Sequence, residues 1–550
     1  MKFLAGCIGL ILFFGAAGQG TLLAARTATI TARDPVTFIK GDSCITRPVR
    51  PDEVFSVVTV ASDQVTIADE DGYEATLNRG MLRITDSTPS PPSVPATNAV
   101  PADQTRGMIT KAAPTATLSS PVTNNPGGTS DQAPAVPALN PEDADKIKQL
   151  NKAFQMPLFT TTNLWDEDAD TVAQRLQWPQ ESNTSFDASY RRYALGDETV
   201  TVLGARAYSL ALYARNGHPT YLSIVFANKG DFGEIGDVTR KKLLHLDVAP
   251  GEMEKAVQDL NAAVKTDAGT INAQLTSVLG DPESHVFGPT ADSREFVHRW
   301  DWNGHAILFT SPRDEYAAIK MVPSEVADHF GDVANLDRDA IKEALAKRVL
   351  RRDNGDVVLQ DIPMVDQGPK GYCVPATWER YLRYVDVPAD MYVLALIGDT
   401  NFWGGTNFDI MREAVNSYVE SYHRRVEMAN VPLDVDHLTK FIDQGLPLMW
   451  SCFYVKSVEK EINEHTFLER KTVTDWNVYK TRIEADDQSL TPVNFADPNL
   501  SRHMRMIIGY NAGTNELAIS DSWGLRYTER WITVKEAQTI STNDLTYIQW

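Results

Sequence analysis

The chain has 550 residues, of which 43% are apolar and 23% charged, with a formal net charge of −21. That length is too great for one hydrophobic core, so three or four units are expected. The acidic balance argues against a nucleic-acid binder, because no basic surplus exists to neutralise phosphates, and against docking on anionic membranes. Otherwise it bears on solubility and names no substrate.

Residues 1–25 read as a signal peptide. Lys2 supplies a positive start, Phe3 to Phe14 an apolar run, and Ala16-Ala17-Gly18 a small-residue cleavage site. Leu4-Ala5-Gly6-Cys7 spells a lipoprotein box, but the apolar run follows Cys7 instead of preceding it. No later segment approaches the roughly 18–20 apolar residues of a membrane helix, so no integral membrane segment is expected. The expected destination is therefore outside the cytoplasm: periplasm, cell envelope or medium. The processed chain would keep Cys44, Cys373 and Cys452. An exported chain with so few cysteines is not a disulfide scaffold, and the odd count leaves at least one thiol free.

Between residues 28 and 86 short apolar alternations recur between turn signals. Thr37-Phe38-Ile39 precedes Gly41-Asp42, Val54 to Val60 precedes Ser62-Asp63, and Val65-Thr66-Ile67 and Tyr73 to Leu77 flank Asp71-Gly72. Strands this short predict a small all-β barrel. The segment resembles the bacterial SH3-like modules of exported hydrolases, which implies either contact with the cell wall or a peptide, or a spacer role. Residues 87–140 are rich in Pro, Ala, Ser and Thr and lack aromatics. They cannot bury enough surface to offset ordering entropy and read as an extended linker.

Residues 141–335 predict an α+β domain with an internal duplication. A helix at Asp168 to Leu176 leads through Trp178-Pro179-Gln180-Glu181-Ser182 to strands near Tyr190 to Ala194, Ala207 to Tyr213 and Tyr221 to Ala227. A helix at Glu254 to Leu279 leads through Asp281-Pro282-Glu283-Ser284 to strands near Glu295 to Trp300, His305 to Thr310 and Tyr316 to Val322. The expected unit is thus αβββ, twice. His218, His245, His285, His298 and His305 fall here, none at a metal-ligand spacing. No metal or cofactor is expected.

The last domain, 336–550, opens with a predicted helix at Leu336 to Leu350 and a strand at Val357 to Ile362, followed by Gln367-Gly-Pro-Lys-Gly-Tyr-Cys373. A helix-like segment from Pro375 to Val385 comes next. A helix N-terminus stabilises a thiolate, and a nearby amide can donate to a developing oxyanion. A lone Cys is more often a small buried hydrophobe, but two downstream motifs change that. Ser501 to Tyr510 places His503 at the start of an apolar strand ending in Gly-Tyr, and Glu516 to Ser520 is a following strand that ends in Asp521-Ser522-Trp523-Gly524. A hairpin of this order sets the Asp521 carboxylate beside the His503 ring, so that His503 can take the thiol proton and Asp521 can fix its tautomer.

These three motifs resemble those of papain-fold cysteine peptidases. Gly371-Tyr372-Cys373-Val374-Pro375-Ala376-Thr377, Gly404-Gly405-Thr406, the helix Asp409 to Tyr418, Leu433 to Ile442, and Gly445-Leu446-Pro447 before the strand Leu448 to Tyr454 are closest to the bacterial bacteriocin-processing-like (peptidase C39-like) branch. The resemblance spans roughly 355 to 535. It implies a papain-like α+β domain with Cys373 as nucleophile, His503 as general base and acid, Asp521 as orienter, and Gln367 as oxyanion donor beside the Cys373 N–H. Trp523 would shield the His–Asp contact. Lys370 stands where papain has a second Cys, so that disulfide is absent, and Asp521 stands where papain has Asn. Lys456 to Leu500, charged and poor in apolar residues, is expected to be a surface loop, or else a lid or exosite. Within it His465 is the one rival base; Cys452 is expected in the core, and His423 and His437 on the surface.

The expected function is an exported thiol hydrolase that cleaves peptide or protein substrates through an acyl-enzyme. The alternatives are another acyl transfer (amidase, deamidase or transglutaminase-like) or a silent papain-like scaffold that binds peptide or cell wall.

Overall fold

In the computed structural model the described residues are seven strands between 26 and 86, and residues 139–549 apart from 195–197, 244–246, 332–337, 403, 489, 491–492, 494 and 496–499. The expected signal peptide, nearly all of the expected linker, His245 and Leu336 lie outside them. The chain divides into two units, Met1–Ala135 and Val136–Trp550. In the first, Arg26–Ile30, Val36–Lys40, Ser43–Arg47, Val54–Val60, Gln64–Ala68, Glu74–Asn78 and Leu82–Asp86 form one antiparallel sheet. Its order is third, second, sixth, fifth, fourth, first, seventh. Val65 and Ile67, two residues apart, are both buried, as a period of two requires.

Among the described residues the second unit holds two large sheets and a two-stranded one, Val200–Val202 paired with Ala205–Ala207. The N-terminal large sheet has eight strands and is built from two equivalent halves. The first half is Gln180–Asn183, Asp187–Tyr193, Ser209–Arg215 and His218–Asn228; the second is Glu283–Phe287, Glu295–Trp302, His305–Thr310 and Tyr316–Pro323. The last strand of each half pairs with the other, Ile224 opposite Ile319, so the order runs outward symmetrically from the centre. A helix precedes each half, Ala169–Leu176 and Glu252–Leu279. The repeat is therefore αββββ, correcting the three-strand expectation: the Pro-Glu-Ser segments are not turns but outermost strands. Glu and Ser have weak strand propensity, and in the first half buried partners override it, Glu181 bonding Arg191 at 2.7 Å and Ser189 at 3.1 Å.

Strand alternation gives this sheet two different faces. Leu210, Leu212, Leu222, Ile224, Phe226, Ile319 and Met321 pack under the long helix. The intervening residues include Arg191, Tyr193, Tyr213, Val225, Tyr316 and Ala318, and these meet the C-terminal domain.

That domain is built on a second sheet in the order Val349–Arg351, Asp356–Leu359, Ser501–Asn511, Leu448–Tyr454, Ser541–Gln549, Arg425–Met428, with Glu516–Ser520 and Arg530–Thr533 branching from Ser501–Asn511. The expected helix at 336–350 is described over Arg338–Lys347 and ends before Val349. Val349 leaves it for a strand because the turn at Gly355, with φ +89°, folds Val349–Arg351 back onto Asp356–Leu359. Lys456 to Leu500 is not a bare loop: it forms helix Lys456–Glu464, a wider turn His465–Glu469 and helix Trp476–Gln488.

Helix Cys373–Tyr384 lies between the two sheets, and its residues from Val374 to Tyr384 are all buried. Val374, Trp378, Tyr381 and Leu382 join the core of their own domain. Tyr372 and Ala376 join Val225, Tyr316 and Ala318 of the preceding sheet. Polar seams flank this contact: Tyr213 donates to Glu379 at 3.0 Å, Tyr221 to Asp390 at 3.1 Å, and Arg383 pairs with Asp187. Because the two sheets share a core through one helix, residues 136–550 should unfold as one cooperative block. Scanning calorimetry should give a single transition; two resolved transitions would show independent domains.

Candidate active site

Cys373 is the first residue of its helix, with Tyr372 in the cap position, so its sulfur sits where the helix dipole favours negative charge. The residue is half-buried. His503 comes from strand Ser501–Asn511 and is buried. Its Nε2 lies 2.7 Å from Asp521 Oδ1, and the ring and the Cys373 thiol are near enough for each to shift the other's ionisation. With Nε2 committed to the carboxylate, Nδ1 is the ring nitrogen left for another partner. Asp521 follows directly on strand Glu516–Ser520, whose Ser520 pairs with Met506. The hairpin thereby carries His503 and Asp521 to the same end of the sheet, and Trp523 stacks on the His503 ring at 4.6 Å between centroids.

The carboxylate is held by more than the histidine. Arg530 donates its Nη2 and Nε to Asp521 Oδ2, the latter at 3.2 Å. Arg505 Nε lies 3.2 Å from Oδ1. Arg505 is two residues beyond His503, so the strand period sets both on one face toward Asp521. Behind them Glu459, from the 456–464 helix, bonds Arg505 and, at 2.9 Å, Arg530. Two carboxylates and two guanidiniums, all buried, form a closed set of charges. Sequence reasoning missed all three supporting residues. Arg505 carried a signal, a charge inside the apolar run Met504 to Ile508, while Glu459 and Arg530 carried none.

These contacts set the ionisation of the site. Burial opposes the Asp521 charge, but Arg505, Arg530 and His503 outweigh it and hold the carboxyl far below its usual range. Burial likewise opposes protonation of His503, yet the bonds to Asp521 and Cys373 push it up to about 9. Burial raises the Cys373 thiol, but hydrogen bonding and attraction from His503 win, and the net shift is downward. Cys452, opposite His503 on the neighbouring strand, has no such partner, and burial pushes it up to about 12. One thiol is thus activated and the other is inert.

Gln367 is brought to the same place. Its backbone N–H donates to Ser522 O at 2.9 Å, which ties the loop to the Asp521 strand end. Its side-chain Nε2 donates to Lys370 O at 2.8 Å, leaving a second N–H on that nitrogen. Opposite this loop, Gly371 bridges to Gly404. Gly404 has φ +114°, and a Cβ there would lie 2.3 Å from Gly371 Cα, so only glycine fits.

The remaining candidates lie elsewhere. His465 is buried and bonds Glu469 at 2.8 Å, with Glu536 of helix Val534–Ile540 at 3.5 Å; it ties the 456–500 segment to that helix. His437 lies in the first turn of its helix, where its N–H donates to the capping Asp434 at 2.9 Å, and His423 is exposed. His305 is satisfied in the core by Leu164 N–H at 3.0 Å and Trp302 O at 2.9 Å. Among the described residues no group of side chains could hold a metal ion, and no helix is long and apolar enough to cross a membrane.

A helix-borne thiol answered by a strand-borne His–Asp pair defines the papain-like class of thiol hydrolase domains. Within that class the C-terminal domain falls in one branch: residues 359–548 match the family described as Peptidase_C39 like family, and this segment is a C39-like papain-fold cysteine peptidase domain. No curated protein and no solved structure matches the chain.

Since His503 keeps its proton up to about pH 9 and Cys373 loses its own below the ordinary thiol range, an ion pair should exist between those limits. Thiolate ultraviolet absorbance should appear at lower pH in the wild type than in His503→Ala. In His503→Ala it should appear only near the free-thiol value of about 8.5; an unshifted titration would contradict the pairing.

Proposed function

We propose that the chain is an exported cysteine peptidase that hydrolyses peptide bonds through a thioester on Cys373. The observation that carries this is the thiol at a helix start, its ionisation lowered by a histidine whose Nε2 meets a buried carboxylate at 2.7 Å. The Cys373 thiolate attacks the carbonyl carbon of the scissile bond, and the carbonyl electron pair moves to oxygen. That oxyanion accepts from the free Nε2 proton of Gln367 and from the Cys373 N–H. The intermediate collapses, the C–N bond breaks, and the His503 imidazolium gives its Nδ1 proton to the leaving amine. Neutral His503 then takes a proton from water, whose oxygen attacks the thioester; the acid leaves and the thiolate–imidazolium pair is restored. Asp521 keeps the ring in register throughout, and Trp523 keeps bulk water from the His–Asp bond.

The N-terminal sheet fits an SH3-like module that contacts the cell wall, with substrates of peptide or protein met outside the cytoplasm. The signal-like start of the sequence supports that location.

Cys373→Ala should abolish hydrolysis of labelled casein, and full retained activity would contradict the proposal. The pH profile should be bell-shaped, rising as the thiol ionises and falling as His503 loses its proton near pH 9. Asp521→Asn, which removes the charge that raises His503, should move the falling limb to lower pH.

A further inference from the structure

The loop that carries Gln367 is held from outside its own domain. On one side of Gln367, the N–H of Asp366 donates to Glu181 Oε1 at 2.8 Å, and its carbonyl accepts from Tyr193 Oη at 2.5 Å. Both partners belong to the preceding eight-stranded sheet, so this sheet satisfies both main-chain groups of Asp366. On the other side, Lys370 supplies the carbonyl that takes the Gln367 amide proton, and its own side chain is fully buried. The ammonium ends 3.0 Å from Asp231 Oδ1. It lies over the rings of Tyr193, Tyr392 and Tyr372, at 4.7, 5.1 and 5.4 Å from their centroids. Asp231 is fixed in turn, its N–H donating to Asn228 Oδ1 at 2.9 Å and its Oδ2 accepting from Tyr392 at 3.1 Å. Gly230 is required next to it, since a Cβ there would come 2.8 Å from the Lys370 chain and 2.7 Å from the Tyr372 ring.

A buried ammonium is costly unless paired, and Asp231 is the carboxylate that pairs it. The chain of contact therefore runs Asp231, Lys370 ammonium, Lys370 carbonyl, Gln367 amide. The facing wall of the cleft is keyed into the same sheet, because Phe402, two residues before Gly404, packs against its core. Neither Cys373 nor His503 lies in that path: their contacts are the helix start and the second sheet.

We propose that Asp231 is a positioning residue of the active site, which acts through Lys370 to aim the Gln367 amide at the oxyanion. The eight-stranded domain is thereby a working half of the catalytic module. This rests on the acyl-enzyme reading above, and it separates two steps that share the thiolate. Alkylation by iodoacetamide displaces iodide at a saturated carbon and forms no oxyanion. Acylation by p-nitrophenyl acetate does: the thiolate adds to the ester carbonyl, the electron pair goes to oxygen, and collapse expels p-nitrophenolate.

In the full chain, Asp231→Ala should lower p-nitrophenolate release about 10- to 100-fold, the range for a misplaced or lost oxyanion donor. The rate of Cys373 alkylation and its pH profile should stay as in the wild type. In a Gln367→Ala background, Asp231→Ala should add no further loss, because both act on one donor. Lys370→Met carries the same comparison if Asp231→Ala does not fold. Unchanged acylation, parallel loss of alkylation and acylation, or additive losses with Gln367→Ala would each overturn the proposal, as would failure of both variants to fold. A wild-type chain that is alkylated at Cys373 yet fails to release p-nitrophenolate, or that does neither, would overturn the acyl-enzyme reading and this proposal with it.

Discussion

A buried carboxylate bonded to a buried histidine is stable as an ion only if something else supplies the solvation that water has lost. Here Arg505 and Arg530 do so for Asp521, and Glu459 in turn balances them. The consequences reach outward. An Asp521 held ionised keeps His503 protonated, a protonated His503 keeps Cys373 as thiolate, and the thiolate is the group that can react. The 456–488 insertion, which supplies Glu459, is therefore joined to the chemistry by charge. The same charge set explains why Asp serves where an amide stands in papain: an amide would leave two buried guanidiniums short of a partner.

The second constraint is mechanical. Helix Cys373–Tyr384 is covered on one side by its own sheet and on the other by the duplicated sheet. The two halves of that sheet have diverged in use. The Glu181–Ser182 strand of the first half accepts main-chain N–H groups from Asp366 and Met364, while the corresponding Glu283 and Ser284 are exposed. A duplicated scaffold has kept one edge for docking and left the other to solvent. A cavity of about 360 Å³ remains along the seam, lined by Tyr213, Tyr221, Phe287 and Tyr418 and apart from Cys373.

What could be read in the residues was what local pattern encodes. The strand Leu448–Tyr454, the hairpin from His503 to Asp521, and the helix after Cys373 follow from periodicity and turn residues, and so did the order of thiol, histidine and carboxylate. Long-range pairing was not legible. Glu459 lies 46 residues from Arg505 and Asp231 lies 139 from Lys370; no spacing announces such partners. The first Pro-Gln-Glu-Ser segment misled because its strand character comes from Ser189 and Arg191 across the ladder, not from its own propensity. Lys370 was noticed only as a missing cysteine, whereas the fold uses it as a tether.

The central claim is that the Asp521 charge set holds His503 as an imidazolium beside a thiolate. Nitrogen-15 NMR of the full chain with labelled histidine reads this directly. The account predicts that both ring nitrogens of His503, assigned by its loss in His503→Ala, show protonated shifts at neutral pH and titrate near pH 9. A neutral His503 ring at neutral pH, with one bare nitrogen, would contradict it.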